Sequence, residues 1–317
     1  MTDSYGRNIS YLRMSVTERC GLRCVYCSKS EGTCLKEREL SADKLIHIAR
    51  AAALTGFDKI RVTGGEPLVR RDIVQIVAGI AAIGKYGDIA MTTNAQLLEA
   101  YAGELAAAGL MRVNIGLPSL NESTYRRMTG GELFAALRGM DSALGAGLTP
   151  VKINVVLIKG QNASELDDFF AFAREYPVEL RFIELMPMGD ITQDRESTGE
   201  GVDNAQILSA HPELIPLPGD ASSPSRLYGS ESLKGKIGFI SPISHAFCSS
   251  CNRLRVTADG FVRPCLGDNT EYSLADTLNG TYEATARRLA EAVKNKPEHH
   301  CFGKCFVPDR KMNAIGG

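Results

Sequence analysis

The sequence has almost no net charge, no long apolar run and no leader-like start, and each absence excludes a class of function. The formal charge is −1 over 317 residues, so no overall field draws nucleic acid and any anion must be held by a local cluster. No stretch reaches the roughly 20 apolar residues that cross a bilayer. Residues 1–7 lack the apolar core of a secretory signal. The expectation is a cytoplasmic chain with neither a membrane nor a nucleic-acid partner. Without a secretory signal, the nine cysteines argue for metal or redox use rather than disulfides. No self-similarity of 20–50 residues marks a repeat protein.

What is present is the composition of a globular chain, 44% hydrophobic and 23% charged, long enough for one large domain or two ordinary ones. The cysteines fall into three groups: Cys20, Cys24 and Cys27; Cys248, Cys251 and Cys265; and the remainder, Cys34, Cys301 and Cys305. The first group has the spacing C-x3-C-x2-C. Three thiolates so close suit an iron–sulfur cluster, and a [4Fe–4S] cube with three protein ligands leaves one iron open. A structural zinc site is the alternative, but it wants four ligands, and no histidine lies near.

Over the first 185 residues strands and helices alternate. Strands are predicted at 11–16, 59–63, 89–92, 112–117, 151–158 and 179–185. Helices are predicted at 42–55, 72–83, 97–108, 121–128, 133–146 and 163–175. Ser41 is the N-cap expected for the first helix, and Gly56 and Gly109 are stops. Six strands joined by helical crossovers favour a parallel α/β sheet closed as a partial (β/α)6 TIM-like barrel. A C-terminal α+β layer from about residue 190 would close its open side. Ligands of such sheets sit at the carboxyl ends of the strands, where Cys20, Gly64-Gly65-Glu66, Thr92-Thr93-Asn94, Gly116 and Met186 cluster.

The second triad, C-x2-C-x13-C, leaves the same two possibilities, a cluster with an open iron or a zinc knuckle short of one ligand. Beside it, Arg253 and Arg255 are two apart, so a strand would put both guanidiniums on one face. Such a pair suits a phosphate chain. Arg61, on an apolar strand, is a charge with a reason to point inward.

The first triad, Tyr26 and Gly64-Gly65-Glu66-Pro67 resemble the radical S-adenosylmethionine enzymes. That resemblance implies a cluster on Cys20, Cys24 and Cys27 whose open iron binds S-adenosylmethionine, and release of a 5′-deoxyadenosyl radical. The likeness narrows with Cys251-Asn252-Arg253-Leu254-Arg255, Thr257-Ala258-Asp259-Gly260, Arg181-Phe182-Ile183-Glu184, Ile240-Ser241-Pro242-Ile243-Ser244 and a terminal Gly316-Gly317. Over nearly the whole chain these resemble the GTP 3′,8-cyclase family of molybdenum cofactor synthesis.

This narrower resemblance implies two [4Fe–4S] clusters, the second on Cys248, Cys251 and Cys265, with S-adenosyl-L-methionine as the other cofactor. GTP would be held by Arg13, Arg61, Thr92, Lys152, Arg253, Leu254 and Arg255. Tyr26, Gly65, Gly116 and Met186 would line the S-adenosylmethionine site, and Gly316 and Gly317 would assist radical initiation as a tail entering the active site. It further implies residues 1–189 as the radical barrel and 190–317 as the auxiliary-cluster, GTP and tail region. An unidentified reductant and a handover to pyranopterin monophosphate synthase follow, for a monomer or homodimer.

Three departures fall near the cofactor mouth. Gly116-Leu117-Pro118-Ser119 stands where the family has Ser-x-Asp-Ser. Ala95 follows Asn94 in place of Gly, and Ser28-Lys29 follow Cys27 in place of Met-Pro. They are read as drift, because the arginines expected to face GTP are intact. Two rivals remain at this stage: a radical enzyme that modifies a peptide through an auxiliary cluster, and a non-catalytic zinc scaffold that could also use His299, His300, Cys301 and Cys305.

Overall fold

The computed structural model describes residues 1–27, 38–188, 200–302 and 306–316. Cys34, Cys305, Gly317 and the Ser28-Lys29 departure lie outside them. The barrel strands are β1 (Tyr11–Ser15), β2 (Lys59–Thr63), β3 (Asp88–Thr93), β4 (Arg112–Gly116), β5 (Lys152–Val156) and β6 (Glu179–Ile183). Between them run α1 (Ala42–Leu54), α2 (Ile73–Ala81), α3 (Leu98–Ala107), α4 (Glu122–Thr129), α5 (Leu133–Gly145) and α6 (Leu166–Glu175). Ser41 caps α1 by accepting a hydrogen bond from the Lys44 backbone N–H. Gly56 and Gly109 stop their helices at φ 90° and 100°, the left-handed conformation that glycine adopts most easily.

The C-terminal part contains α7 (Asn204–Ala210), β7 (Ile215–Pro216), β8 (Ser225–Gly229), β9 (Lys236–Ile240), β10 (Arg253–Val256), β11 (Phe261–Arg263), β12 (Tyr272–Ser273), α8 (Tyr282–Lys294) and α9 (Met312–Ile315). The closing layer takes a specific form: its strands join the barrel sheet at both edges. The order is β12-β11-β10-β1-β2-β3-β4-β5-β6-β9-β8-β7. Both β10 on β1 and β9 on β6 pair in parallel, so the parallel run extends two strands beyond the predicted six. The expected division at 189/190 is thus crossed by strand pairing. Glu184, just beyond β6, fastens the turn after β9 by accepting from the Ile243 and Ser244 N–H groups at 3.0 and 3.1 Å.

Alternation along each strand explains where the core sits. In β1, Leu12 and Met14 are fully buried against the helices, each worth roughly 1.5–3 kcal/mol. Tyr11 and Arg13 point the other way, into a cavity that Arg61, Asn154, Arg181 and Arg255 also line. A barrel interior is usually filled by branched apolar side chains; this one holds an open cavity with charged side chains in its lining. Residues from β10 at one end to β6 at the other meet in that single space of about 390 Å³. A flat sheet with strands about 4.8 Å apart could not bring them together, so the sheet curls into an open barrel.

Candidate active site

Two cavities occupy the barrel. The upper, about 520 Å³, is ringed by the carboxyl ends of the strands: Cys20, Cys24 and Cys27 after β1, Gly64 and Gly65 after β2, Asn94 after β3, Gly116 ending β4, and Met186 after β6. Tyr26 lines it as well, so the predicted first triad and the whole predicted S-adenosylmethionine set come together here.

The glycines are required by close approach. A Cβ on Gly64 would overlap the Thr17 carbonyl, and one on Gly65 the Glu18 and Arg19 carbonyls. Gly65 N–H donates to Thr17 O at 2.7 Å and Glu66 N–H to Arg19 O at 2.8 Å, which sews the end of β2 to the segment leading into Cys20. From the other side, the Arg23 and Val25 N–H groups donate to the carbonyls of Thr129 and Met128 in α4. Arg70 reaches the carbonyls of Val16 and Leu40 at 2.7 and 2.9 Å. Glu66 is buried and accepts from Leu68 N, Thr93 Oγ1 and Asn94 N at 3.1, 2.7 and 2.6 Å. Burial pushes its carboxyl up to about 7 against those bonds.

These thiols fit a cluster better than a lone ion. They share one cavity, yet among the described residues no three His, Cys, Asp or Glu side chains converge on a single metal position. Burial, and then the neighbouring Cys20, push the Cys24 thiol up to about 12, so metal must displace its proton. Asn94 Nδ2 approaches Cys20 Sγ at 3.7 Å.

The lower cavity carries the charge. Arg13 lies directly opposite Arg61 in β2 on one side and Arg255 in β10 on the other. Like charges placed opposite across strands repel, and burial disfavours them further. Burial pulls Arg61 and Arg255 down to about 10, and Arg13 well below the usual guanidinium value. Among the described residues no carboxylate is within ion-pair distance of Arg61, Arg253 or Arg255. Buried polar atoms without hydrogen bonds line the same space: Nε of Arg61 and Arg253, and Oδ1 of Asn154 and Asn252.

The cations of the opposite wall are paired with carboxylates. Glu179 bridges Lys152 at 3.0 Å and Arg181 at 2.5 Å, and Asp88 holds Arg112 at 2.5 Å. Arg112, Arg181, Lys59 and Asn154 were missed by sequence reasoning. Their signal was available: each is a polar residue at an inward position of a strand.

Two predicted contacts are placed differently. The Leu254 side chain is fully buried in the hydrophobic core, because strand alternation turns it away from its neighbours; only its backbone could meet a ligand. Thr92 lines the upper cavity rather than the lower, with its Oγ1 buried and without a hydrogen bond.

The cavities touch. Asn154, Ile183, Met186 and Met312 line both, so the tail reaches the junction. Met312 and Asn313 come from α9, and Gly316 is buried at φ 78° with its carbonyl bonded by Arg255 Nη1. Asn313 Nδ2 donates to Glu18 O at 3.0 Å. Arg310 holds the segment to Asp259 and Glu271 at 2.9 and 2.8 Å.

The second triad borders the lower cavity through its neighbours: Phe247, Asn252, Arg253 and Leu266 line it. Burial would raise the Cys251 thiol, but Arg253 and Lys296 bring it down to about 7. A zinc site using His300 finds no support: its Nε2 lies 2.9 Å from Pro242 O, and its Nδ1 accepts from Phe302 N–H.

A family model described as the Radical SAM superfamily matches residues 14–173, and one described as Molybdenum Cofactor Synthesis C matches residues 178–302. The chain is 42% identical over 323 residues to a GTP 3′,8-cyclase of Clostridium botulinum and 43% identical over 322 residues to one of Alkaliphilus oremlandii, covering all of both chains each time. Among solved structures, Streptococcus suis SuiB bound to S-adenosylmethionine aligns with a TM-score of 0.63 at 16% identity, over 86% of this chain and 65% of that one. Native anSMEcpe with bound AdoMet aligns with a TM-score of 0.56 at 14% identity, over 90% and 81%. At those identities the structural likeness shows the fold alone. Among the described residues no helix is long and apolar enough to cross a membrane.

Proposed function

The chain belongs to the GTP 3′,8-cyclase family within the Radical SAM superfamily, and from that premise we propose that it cyclises GTP to (8S)-3′,8-cyclo-7,8-dihydroguanosine 5′-triphosphate, an early step of molybdenum cofactor synthesis. The observation that carries the reading is the row Arg255–Arg13–Arg61 across three neighbouring strands. A buried row of guanidiniums suits an anion, and a triphosphate brings about four negative charges. A guanidinium–phosphate hydrogen bond contributes about 1.5–3 kcal/mol.

Cys20, Cys24 and Cys27 would hold the cluster that binds S-adenosylmethionine, which together supply a 5′-deoxyadenosyl radical when bound. Gly64, Gly65 and Glu66 fix the cysteine segment, while Tyr26, Gly116 and Met186 wall the cofactor's space. Phosphates on the arginine row leave the ribose facing the junction at Asn154 and Met186. Arg253 and Asn252 stand on the side of the second triad, where Cys248, Cys251 and Cys265 would hold a second [4Fe–4S] cluster beside the guanine. The tail, buried as far as Gly316, closes the junction and keeps water out. Residues 1–189 thus carry the radical site and 190–317 the auxiliary cluster and tail. A separate reductant supplies electrons, pyranopterin monophosphate synthase takes the product, and the chain acts as a cytoplasmic monomer or homodimer.

The test is anaerobic. Reconstituted protein given GTP, S-adenosylmethionine and dithionite is expected to yield 5′-deoxyadenosine together with the cyclised nucleotide. Deoxyadenosine with no GTP-derived product refutes the substrate assignment.

A further inference from the structure

One buried cation is used by none of these steps. Lys296, just after α8, is 3% exposed. Its ammonium donates to the Arg253 carbonyl at 2.9 Å and to the Pro264 carbonyl. Those carbonyls belong to the two segments that carry Cys251 and Cys265. Among the described residues no carboxylate is within ion-pair distance of it. Lysines are almost never so buried unless paired, because an ammonium taken out of water without an opposite charge is strongly destabilising. Two carbonyl dipoles satisfy donors but carry no net charge.

The nearby groups that can be anionic are the thiolates. Lys296 acts electrostatically on both Cys251 and Cys265. Arg7 offers an instructive contrast. It also reaches the triad, donating to Cys248 O at 2.9 Å, but its charge is already met by Asp3 at 2.5 Å. Arg253, Lys296 and, more weakly, Arg7 act on Cys251, but of these three only Lys296 also acts on Cys265 and is bonded to both segments.

We infer that Lys296 is the buried counter-ion of the second cysteine triad, a positioning residue that joins its two segments and sets the reduction potential of the cluster they hold. The inference rests on the second-cluster reading above. Three thiolates on a [4Fe–4S]2+ core leave a net charge of −1, and one-electron reduction deepens it. A fixed positive charge in a poorly polarisable surrounding therefore favours the reduced form, since net charge and burial set such potentials.

The experiment uses the full chain with Cys20, Cys24 and Cys27 changed to Ala, so that only the second cluster remains. With Lys296 intact, anaerobic reconstitution is expected to give roughly four irons and as many sulfides per chain. Absence of both overturns the second-cluster reading itself. In the same background, Lys296→Met is expected to keep its iron and lower the reduced-to-oxidised ratio at fixed potential at least tenfold, about 59 mV for one electron. Lys296→Arg should stay close to the parent. Full iron with an unchanged ratio in Lys296→Met overturns the counter-ion assignment alone. If Lys296→Met instead loses iron, retention by Lys296→Arg with unchanged melting of the metal-free protein supports the role of charge. Equal iron loss in both variants, or lowered melting of metal-free Lys296→Met, reduces Lys296 to a structural tie.

Discussion

Replacing Arg61 with Met should have opposite effects on substrate binding and on the stability of the empty protein. Arg61 sits 9% exposed in the arginine row, its guanidinium 5.3 Å from the Tyr11 ring centroid. Burial holds it down to about 10 from an ordinary value of 12.5. For a base with a depressed folded value, the charged form is penalised at every pH below that value, so the penalty is fully present at pH 7. At about 1.4 kcal/mol per pH unit, the charge opposes the empty fold by a few kcal/mol. Losing the cation–π contact costs about 1 kcal/mol in return. Arg61→Met is therefore expected to melt a few degrees higher without ligand by scanning calorimetry. With GTP the sign reverses. Losing a charge-assisted bond of about 1.5–3 kcal/mol weakens the nucleotide roughly 10- to 100-fold, read by titration calorimetry. Unchanged GTP affinity together with a lower melting point would refute the reasoning, because Arg61 would then be an ordinary structural charge.

The other expectations follow from single contacts. Burial, assisted by Arg181, brings Lys152 down to about 8 against the pull of Glu179, so the lysine loses its charge as pH rises through 8. GTP affinity should fall over that range and proton uptake accompany binding above it, whereas Lys152→Arg should give a flat profile. Arg310→Ala removes two of the ties that hold the tail and should lower deoxyadenosine formation more than GTP affinity in a single-turnover assay. Gly65→Ala should fail to assemble the first cluster, seen as iron loss, because a Cβ has no room beside Arg19. Gly116→Ser should fold with unchanged melting, since a Cβ there meets nothing within 4 Å; a drop of several degrees would show that the space is needed.

The barrel was legible because its signals are local. Strand β2 spans the predicted residues 59–63, and Ser41 caps the predicted helix. The edges of the sheet were not, since β10 finds its parallel partner β1 some 240 positions away, and no local pattern encodes that pairing. The cysteine triads and Arg253 with Arg255 stood out by spacing. Arg112 and Arg181 did not, although they occupy the same inward positions as Arg61. Lys296 and Arg7 lie outside barrel strands, where only the folded structure shows that their charges are buried. The placing of the Leu254 side chain in the core was legible in advance, since a strand that turns Arg253 and Arg255 inward must turn the side chain between them outward.

The departures from the family pattern that fall on described residues are absorbed where they occur. Ala95 takes the left-handed conformation, φ 61°, which disfavours a non-glycine residue by about 1–2 kcal/mol. Its methyl is fully buried and faces Gly139 of α5, where a Cβ would overlap the Ala95 carbonyl. Burying that methyl returns about 0.8 kcal/mol, which offsets part of the cost. Pro118 has no N–H to satisfy, and Asn162 Nδ2 takes its carbonyl at 2.5 Å. Ser119 donates to Glu165 at 2.6 Å, and the same carboxylate accepts from Leu120 N at 3.0 Å. That network lies behind the cavity wall. Among the departures within the described residues, Gly116 alone lines the upper cavity, where the missing side chain leaves open space. A chain that shifted substrate would be expected to alter the arginine row instead, and Arg13, Arg61 and Arg255 remain in register across it.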